Sequence, residues 1–142
     1  MTSALATLTV GQTLGPLVRG PITTRQLVEY AGASLDWNRI HYDDPFARAG
    51  GHPSVIAHGM LSMAFLGQLT AELAGGPKHI VALSARFKAI AYPADTIRVT
   101  GTVAAIREEA GSRKIELALR AERLDATGAA TVIIDGAATI AT

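Results

Sequence analysis

The chain of 142 residues is the length of one domain, and with 49% hydrophobic and 18% charged residues it can bury a sizeable core. Thirteen Lys+Arg against twelve Asp+Glu leave a net charge of +1, which argues against nucleic acid or an anionic membrane as a partner. The absence of cysteine removes disulfides, thiolate nucleophiles and Cys-based zinc sites together.

The opening MTSALATLTVGQTL has no basic segment ahead of its apolar residues, so no signal peptide is expected and a cytoplasmic location is the default. The first half then reads as helix and loop. Thr23 or Thr24 can cap a short amphipathic helix through Tyr30, with Leu27 and Val28 facing inward. Periodicity is lost over AGASLDWNRIHYDD. Asp44 followed by Pro45 reads as an N-cap with proline at the first helical position, so PFARAG should form one or two turns ended by glycine. Between Ala49 and Ala71 there is no Asp, Glu, Lys or Arg, but the stretch opens AGGHPSVIAHG, which no lipid-spanning helix would choose. The helical remainder, Ala57 to Ala74, falls short of the roughly 20 apolar residues a bilayer needs. It reads as a buried helix closed by Gly75-Gly76-Pro77.

The second half alternates. Val81, Leu83, Ala85, Phe87 and Ala89 share one face of a strand, opposite Ser84, Arg86 and Lys88. Ile97, Val99, Val103 and Ala105 follow, then a turn over Glu108–Arg113, then Ile115, Leu117, Leu119 and Ala121. A second turn at Asp125–Gly128 leads to Val132, Ile134, Ala138 and Ile140. These last three runs predict an antiparallel meander with one dry face. A helix apolar nearly all round needs covering, and a dry sheet face needs something to cover. An α+β domain, with a curved antiparallel sheet wrapped around the helix, satisfies both. Part of the helix and one edge strand would stay bare, so pairing with a second copy is expected.

The unusual polar residues gather in one window. Asp36 and His41 are five apart, about 140° on a helical wheel, so only a turn could bring both to one cavity. There a carboxylate and an imidazole would form a general acid/base pair. Gly59 opens the buried helix, where free backbone N–H groups and the helix dipole favour an oxyanion. Acid/base pair plus oxyanion donor equips a site for proton chemistry α to a carbonyl. Each residue alone has a structural alternative: Asp36 or Asn38 as a turn cap, His41 as a structural histidine, Gly59 as packing. His41, His52 and His58 match no compact metal-ligand spacing, and no G-x-S-x-G elbow surrounds Ser54 or Ser62.

As a whole, YAGASLDWNRIHYDDPFARAGGHPSVIAHGML resembles the signature of the MaoC-like dehydratases, the (R)-specific enoyl-CoA hydratases and 3-hydroxyacyl-thioester dehydratases. Their pattern is approximately Y-A-x-x-S-G-D-x-N-P-I-H-x-D followed, after a spacer, by H-G-M-L. This chain carries its Tyr, Ala, Ser, Asp, Asn, Ile, His and Asp, and the whole of His58-Gly59-Met60-Leu61. LSARFKAIAYPADTIRVTGTV is similar to the family's R-F-x-x-P-V-x-x-G-D-T strand pair.

The resemblance covers most of the chain and implies a single hot-dog domain over residues 1–142. It implies Asp36 and His41 as the catalytic pair and the Gly59 N–H as the oxyanion donor. Asn38, Ser34, His58 and Arg39 would be supporting or substrate-binding residues. The implied reaction is reversible hydration of trans-2-enoyl thioesters without metal or redox cofactor. Coenzyme A or an acyl-carrier protein is the substrate's handle. The implied assembly is a homodimer, or a heterodimer with another hot-dog subunit. A non-catalytic acyl-thioester-binding subunit is the alternative, against which the retained pair argues.

Two positions depart from the pattern: Leu35 stands where glycine is usual and Arg39 where proline is usual. Leucine lacks glycine's freedom at positive φ, and an inward Arg39 would act on the pair as a cation. On the buried helix, Gly67 offers no side chain where some relatives carry a hydroxyl. Met63, Phe65 and Leu66 are the candidates for setting tunnel depth.

Overall fold

The structure, a computed structural model, describes residues 3–109 and 111–141. A short helix α1 (Ser3–Ala6) leads into β1 (Thr13–Arg19), a strand in a half of the chain whose sequence predicts helix and loop. In TLGPLVR only Leu14 and Leu17 are buried, a spacing of three that hides the strand. The cause is an irregularity at Gly15-Pro16 that resets the phase between them. A proline is tolerated there because β1 is an edge strand.

Helix α2 (Thr24–Ser34) is capped by the Thr23 hydroxyl, which accepts from the Gln26 N–H at 3.1 Å. Its inner face is Leu27 and Ala31; Val28, expected inside, is 48% exposed because it follows Leu27 around the helix toward solvent. A 3-10 turn at Arg39–His41 precedes α3 (Asp44–Ala49). The cap of α3 is Asp43, not Asp44: its carboxylate accepts from the Phe46 N–H at 3.1 Å. Asp44 is instead the first helical residue and pairs with Arg48 at 2.6 Å, placing Pro45 one position later than expected.

Helix α4 (Gly59–Ala74) ends where predicted, with Gly75 left-handed at φ 75°. Leu61, Phe65, Leu66 and Leu69 are buried along it, while the row Met60, Ala64, Gln68 and Glu72 faces outward. That row repeats every four residues as one exposed stripe of the helix, and Arg19 of β1 reaches its far end at Gln68 and Glu72, 3.0 and 3.2 Å away.

Four further strands follow: β2 (Ile80–Phe87), β3 (Thr96–Glu109), β4 (Ser112–Leu124) and β5 (Ala130–Ala141). They join β1 in one antiparallel sheet of order β1-β3-β4-β5-β2. Strands β3, β4 and β5 are the expected meander, and β2 pairs with the far side of β5. The inward residues Ile97, Val99, Val103, Ile115, Leu117, Ile134 and Ile140 are each at most 1% exposed. Burying a side chain of this size contributes about 1.5–3 kcal/mol, so this face holds the domain together. A register shift between Val103 and Ala105 sets Ile106, in place of the expected Ala105, against the core.

The sheet curls around α4 closely enough to demand glycine at one place. A Cβ on Gly136 would lie 2.6 Å from Leu66 Cδ2 and 2.8 Å from the Ser84 carbonyl oxygen. This is the hot-dog arrangement: a curved sheet wrapped around a central helix. On the edge strand β2 the alternation holds only in part. Leu83 and Ala85 pack on the core, whereas Val81 and Phe87 are 60% and 50% exposed.

Candidate active site

The chain reaches the site through a turn built from its own side chains. At the end of α2 the Ser34 hydroxyl donates to the Tyr30 carbonyl at 2.7 Å and accepts from the Asp36 N–H at 3.3 Å. Leu35, between Ser34 and Asp36, is left-handed at φ 59°, ψ 22°, the conformation glycine would take freely. Asp36 Oδ1 then accepts from the Asn38 N–H, and Asn38 Oδ1 from the Ile40 N–H, at 3.3 and 3.2 Å. Two successive side-chain turns thus fold 34–41 back on itself. Asn38 holds the turn as expected, and Ser34 acts on it from the helix end.

The turn is tied to the segment before α4. The Ile56 N–H donates to the Ile40 carbonyl at 3.1 Å, and the Ile56 carbonyl sits 2.9 Å from His41 Nδ1. With Nδ1–H donating to that carbonyl, His41 Nε2 is left with its lone pair. It lies 3.7 Å from Asp36 Oδ2, with the His41 side chain 9% and the Asp36 side chain 52% exposed. Two acceptors at this separation can share one water, each receiving an O–H at about 2.8 Å.

His41 opens onto a cavity of about 160 Å³. The rest of its wall is Gly59, Ser62 and an apolar lining that includes Ile56, Phe87, Ile90 and Ile134. Gly59 is the first residue of α4, so its N–H has no partner within the helix. A Cβ there would lie 3.2 Å from the Phe87 ring, so the glycine also leaves room for that aromatic wall. Ser62, 4% exposed on the next turn, is a lining residue the sequence reading did not single out. Its signal was the spacing of three from Gly59 on one helix face. Phe65 and Leu66 are packed in the core and do not line the cavity. Its walls come mainly from the segments around Phe87 and Ile134. Gly67 faces Leu83 of β2, 3.4 Å from where its Cβ would lie.

His58 is 1% exposed and its ring stacks on His41, with centroids 3.7 Å apart and planes 20° from parallel. Burial first, and then the neighbouring His41, hold its pKa below the usual histidine value. Asp36, His41 and His58 bring three possible metal-ligand atoms within 4.8 Å of one another, a grouping their sequence spacing did not reveal. Near-parallel stacked rings direct their nitrogens side by side, not at one centre, and His41 Nδ1 already faces a carbonyl. Arg39 takes the outward course. Its guanidinium reaches Asp43 at 2.7 Å and lies 4.6 Å over the Phe46 ring, so its cation is spent on α3 and not on the Asp36–His41 pair. The same bond lowers the Asp43 pKa.

A curved sheet around one helix, with a carboxylate and an imidazole beside an apolar cavity at the helix start, defines a hot-dog protein. The chain belongs to the MaoC-like domain family, whose pattern it matches over residues 6–124, and it is an enzyme of that family's hydratase and dehydratase class. It is 32% identical over 120 residues to the (R)-specific enoyl-CoA hydratase of Rhodospirillum rubrum, an alignment covering 84% of this chain and 78% of that protein. The unliganded R-hydratase PhaJ1 from Pseudomonas aeruginosa superposes with a TM-score of 0.80 at 28% identity, over 95% of this chain and 82% of that one. The (R)-hydratase from A. caviae gives a TM-score of 0.80 at 25% identity, over 94% and 96% of the two chains.

Proposed function

We propose that the chain catalyses the reversible hydration of trans-2-enoyl thioesters to (R)-3-hydroxyacyl thioesters, with Asp36 and His41 as the acid/base pair. The observation that carries this reading is the 3.7 Å approach of Asp36 Oδ2 to His41 Nε2 beside an apolar cavity that also meets Gly59. A water donating one O–H to each acceptor presents its lone pairs to C3 of an enoyl group seated in the cavity. The C3–O bond forms as the water proton passes to the pair, and the pair returns a proton to C2. The charge that gathers on the thioester oxygen is met by the Gly59 N–H, a contact worth about 3–4 kcal/mol of barrier in other enzymes. Dehydration uses the same groups in reverse. The thioester itself acidifies C2, so no cofactor enters this scheme.

Coenzyme A or an acyl-carrier protein is the carrier this chemistry needs, and similarity to the R. rubrum hydratase supports coenzyme A. A homodimer is the working unit in this reading, and the cytoplasm its location. Loss of the conjugated enoyl-thioester absorbance, followed with trans-2-enoyl-CoAs of increasing length, tests the activity. Asp36→Asn and His41→Ala are each expected to cut turnover by about 10²–10⁴-fold while the protein stays folded. Unchanged rates in both variants would remove the pair from the mechanism.

A further inference from the structure

His58 stands at the N-cap of α4 yet makes no capping bond with its side chain. Histidine is a poor choice for a cap, and burying it at 1% exposure is costly. Its surroundings account for the choice. One face of the ring lies on His41, and Tyr30 tilts against it at 4.9 Å and 58°. Its Nε2 lies 3.4 Å from the backbone carbonyl oxygen of Asp36, and its Nδ1 is buried with no hydrogen-bond partner.

These contacts select one protonation state. With the proton on Nε2, the ring donates to the Asp36 carbonyl and only a bare lone pair is left at Nδ1. The other tautomer would oppose two acceptors and bury an N–H with nothing to receive it. An imidazolium would bury that N–H together with a charge, stacked directly on His41. The groups that face His58 are His41 from the 3-10 turn, Asp36 from the turn before it and Tyr30 from α2. The nearby carboxylate of Asp36 favours the charged form, but burial and His41 outweigh it.

We infer that His58 is a positioning residue that stays neutral and holds the main chain of Asp36 through Nε2–H, so that Asp36 keeps its separation from His41. The inference rests on the proposed roles of Asp36 and His41. It makes His58 part of the site without contact to substrate or exchange of a proton.

The test compares wild type, His58→Phe and His58→Gln on the best-hydrated member of a trans-2-butenoyl- to trans-2-decenoyl-CoA series. Thermal melting establishes that each is folded. Phenylalanine keeps a ring of similar footprint but loses the donor; glutamine keeps an N–H donor at comparable reach but loses the ring. Positioning through Nε2–H predicts that His58→Phe loses kcat about tenfold or more, with KM within about threefold, and that His58→Gln recovers most of it. A packing role predicts the reverse order, and that order would overturn the inference. The acid limb of the kcat/KM profile is expected at the same pH in wild type and His58→Phe; its displacement would show that His58 carries a proton in the cycle. If His58→Phe does not fold, His58→Leu replaces it, and equal kcat in the Leu and Gln variants would be equally fatal. Asp36→Asn and His41→Ala run alongside: their full activity would sink the acid/base reading itself, whereas their collapse beside an unaffected His58 series would sink only this inference.

Discussion

Leu35 shows what a single residue gives up to build the site. A left-handed conformation costs an L-amino acid about 1–2 kcal/mol, and this side chain, 77% exposed, gains little packing in return. Glycine would remove that strain while adding about 0.5–1 kcal/mol of chain entropy to be lost on folding. Leu35→Gly is therefore expected to stabilise the fold by about 0.5–1 kcal/mol, a rise of roughly 2–4 °C in Tm by calorimetry, with hydration unchanged. A lower Tm would mean that Leu35 makes contacts its exposure does not suggest. His58 supplies a pH signature at the same scale. Its folded pKa lies below the ordinary value of 6.5, so the unfolded chain binds the proton first as pH falls. Stability is fully present above 6.5 and declines below it until the folded-state pKa is reached. Urea midpoints measured downward from pH 7.5 should show this slope in wild type and less of it in His58→Gln. Asp43, held low by Arg39, acts in a separate window: its contribution begins to fall only near its ordinary value of 3.8.

Among the elements, α4 does two things. Its first residue, Gly59, lines the cavity, and its middle brings Leu66 against the sheet at Gly136. There the helix and β2 leave no space for a methyl group: the nearest atoms are a buried leucine and a backbone oxygen. Gly136→Ala should cost about 1–3 kcal/mol, read as a lower urea midpoint at unchanged m-value. Adding Leu66→Ala is expected not to restore it, because the 2.8 Å approach to the Ser84 carbonyl remains and a core leucine is lost. Full recovery in the double variant would show that the side chain alone sets the limit. The helix also explains why the cavity is walled by Phe87 and Ile134: Phe65 and Leu66 turn into the core.

For the molecule as a whole, the two sheet edges differ. Strand β1 carries Pro16 and an irregular register, both of which discourage pairing. Strand β2 has no proline, and Val81 and Phe87 stand exposed on it, 60% and 50%. Apolar residues gathered at an open edge favour self-association. Sedimentation velocity should give a dimer for the wild type, and Val81→Lys should shift it toward monomer. A wild-type monomer at micromolar concentration would instead leave this edge to a different hot-dog chain.

The alternation of apolar residues in β4 and most of β3, the uncharged run of α4 and the glycine that ends it were legible because each is a local pattern with a fixed period; in β5 a register shift beside Ala121 buries Ile133 in place of the expected Val132. The site was legible as residue types, Asp36 and His41 with Gly59, and the resemblance assigned their roles. Other features were not. Strand β1 was hidden because a break at Gly15-Pro16 moved its two buried leucines out of phase. The cap of α3 fell on Asp43 and not Asp44 because two adjacent aspartates offer the same chemistry, and only the backbone angle decides between them. The outward turn of Arg39 depended on Asp43 and Phe46 arriving beside it, and the stacking of His58 on His41 on the hydrogen bond that the Ile56 N–H donates to the Ile40 carbonyl. Local periodicity and turn chemistry act within a few residues and were set by the chain order; distances between groups 15 or 22 residues apart, such as His41 to Ile56 or Asp36 to His58, were set only when the sheet closed on the helix.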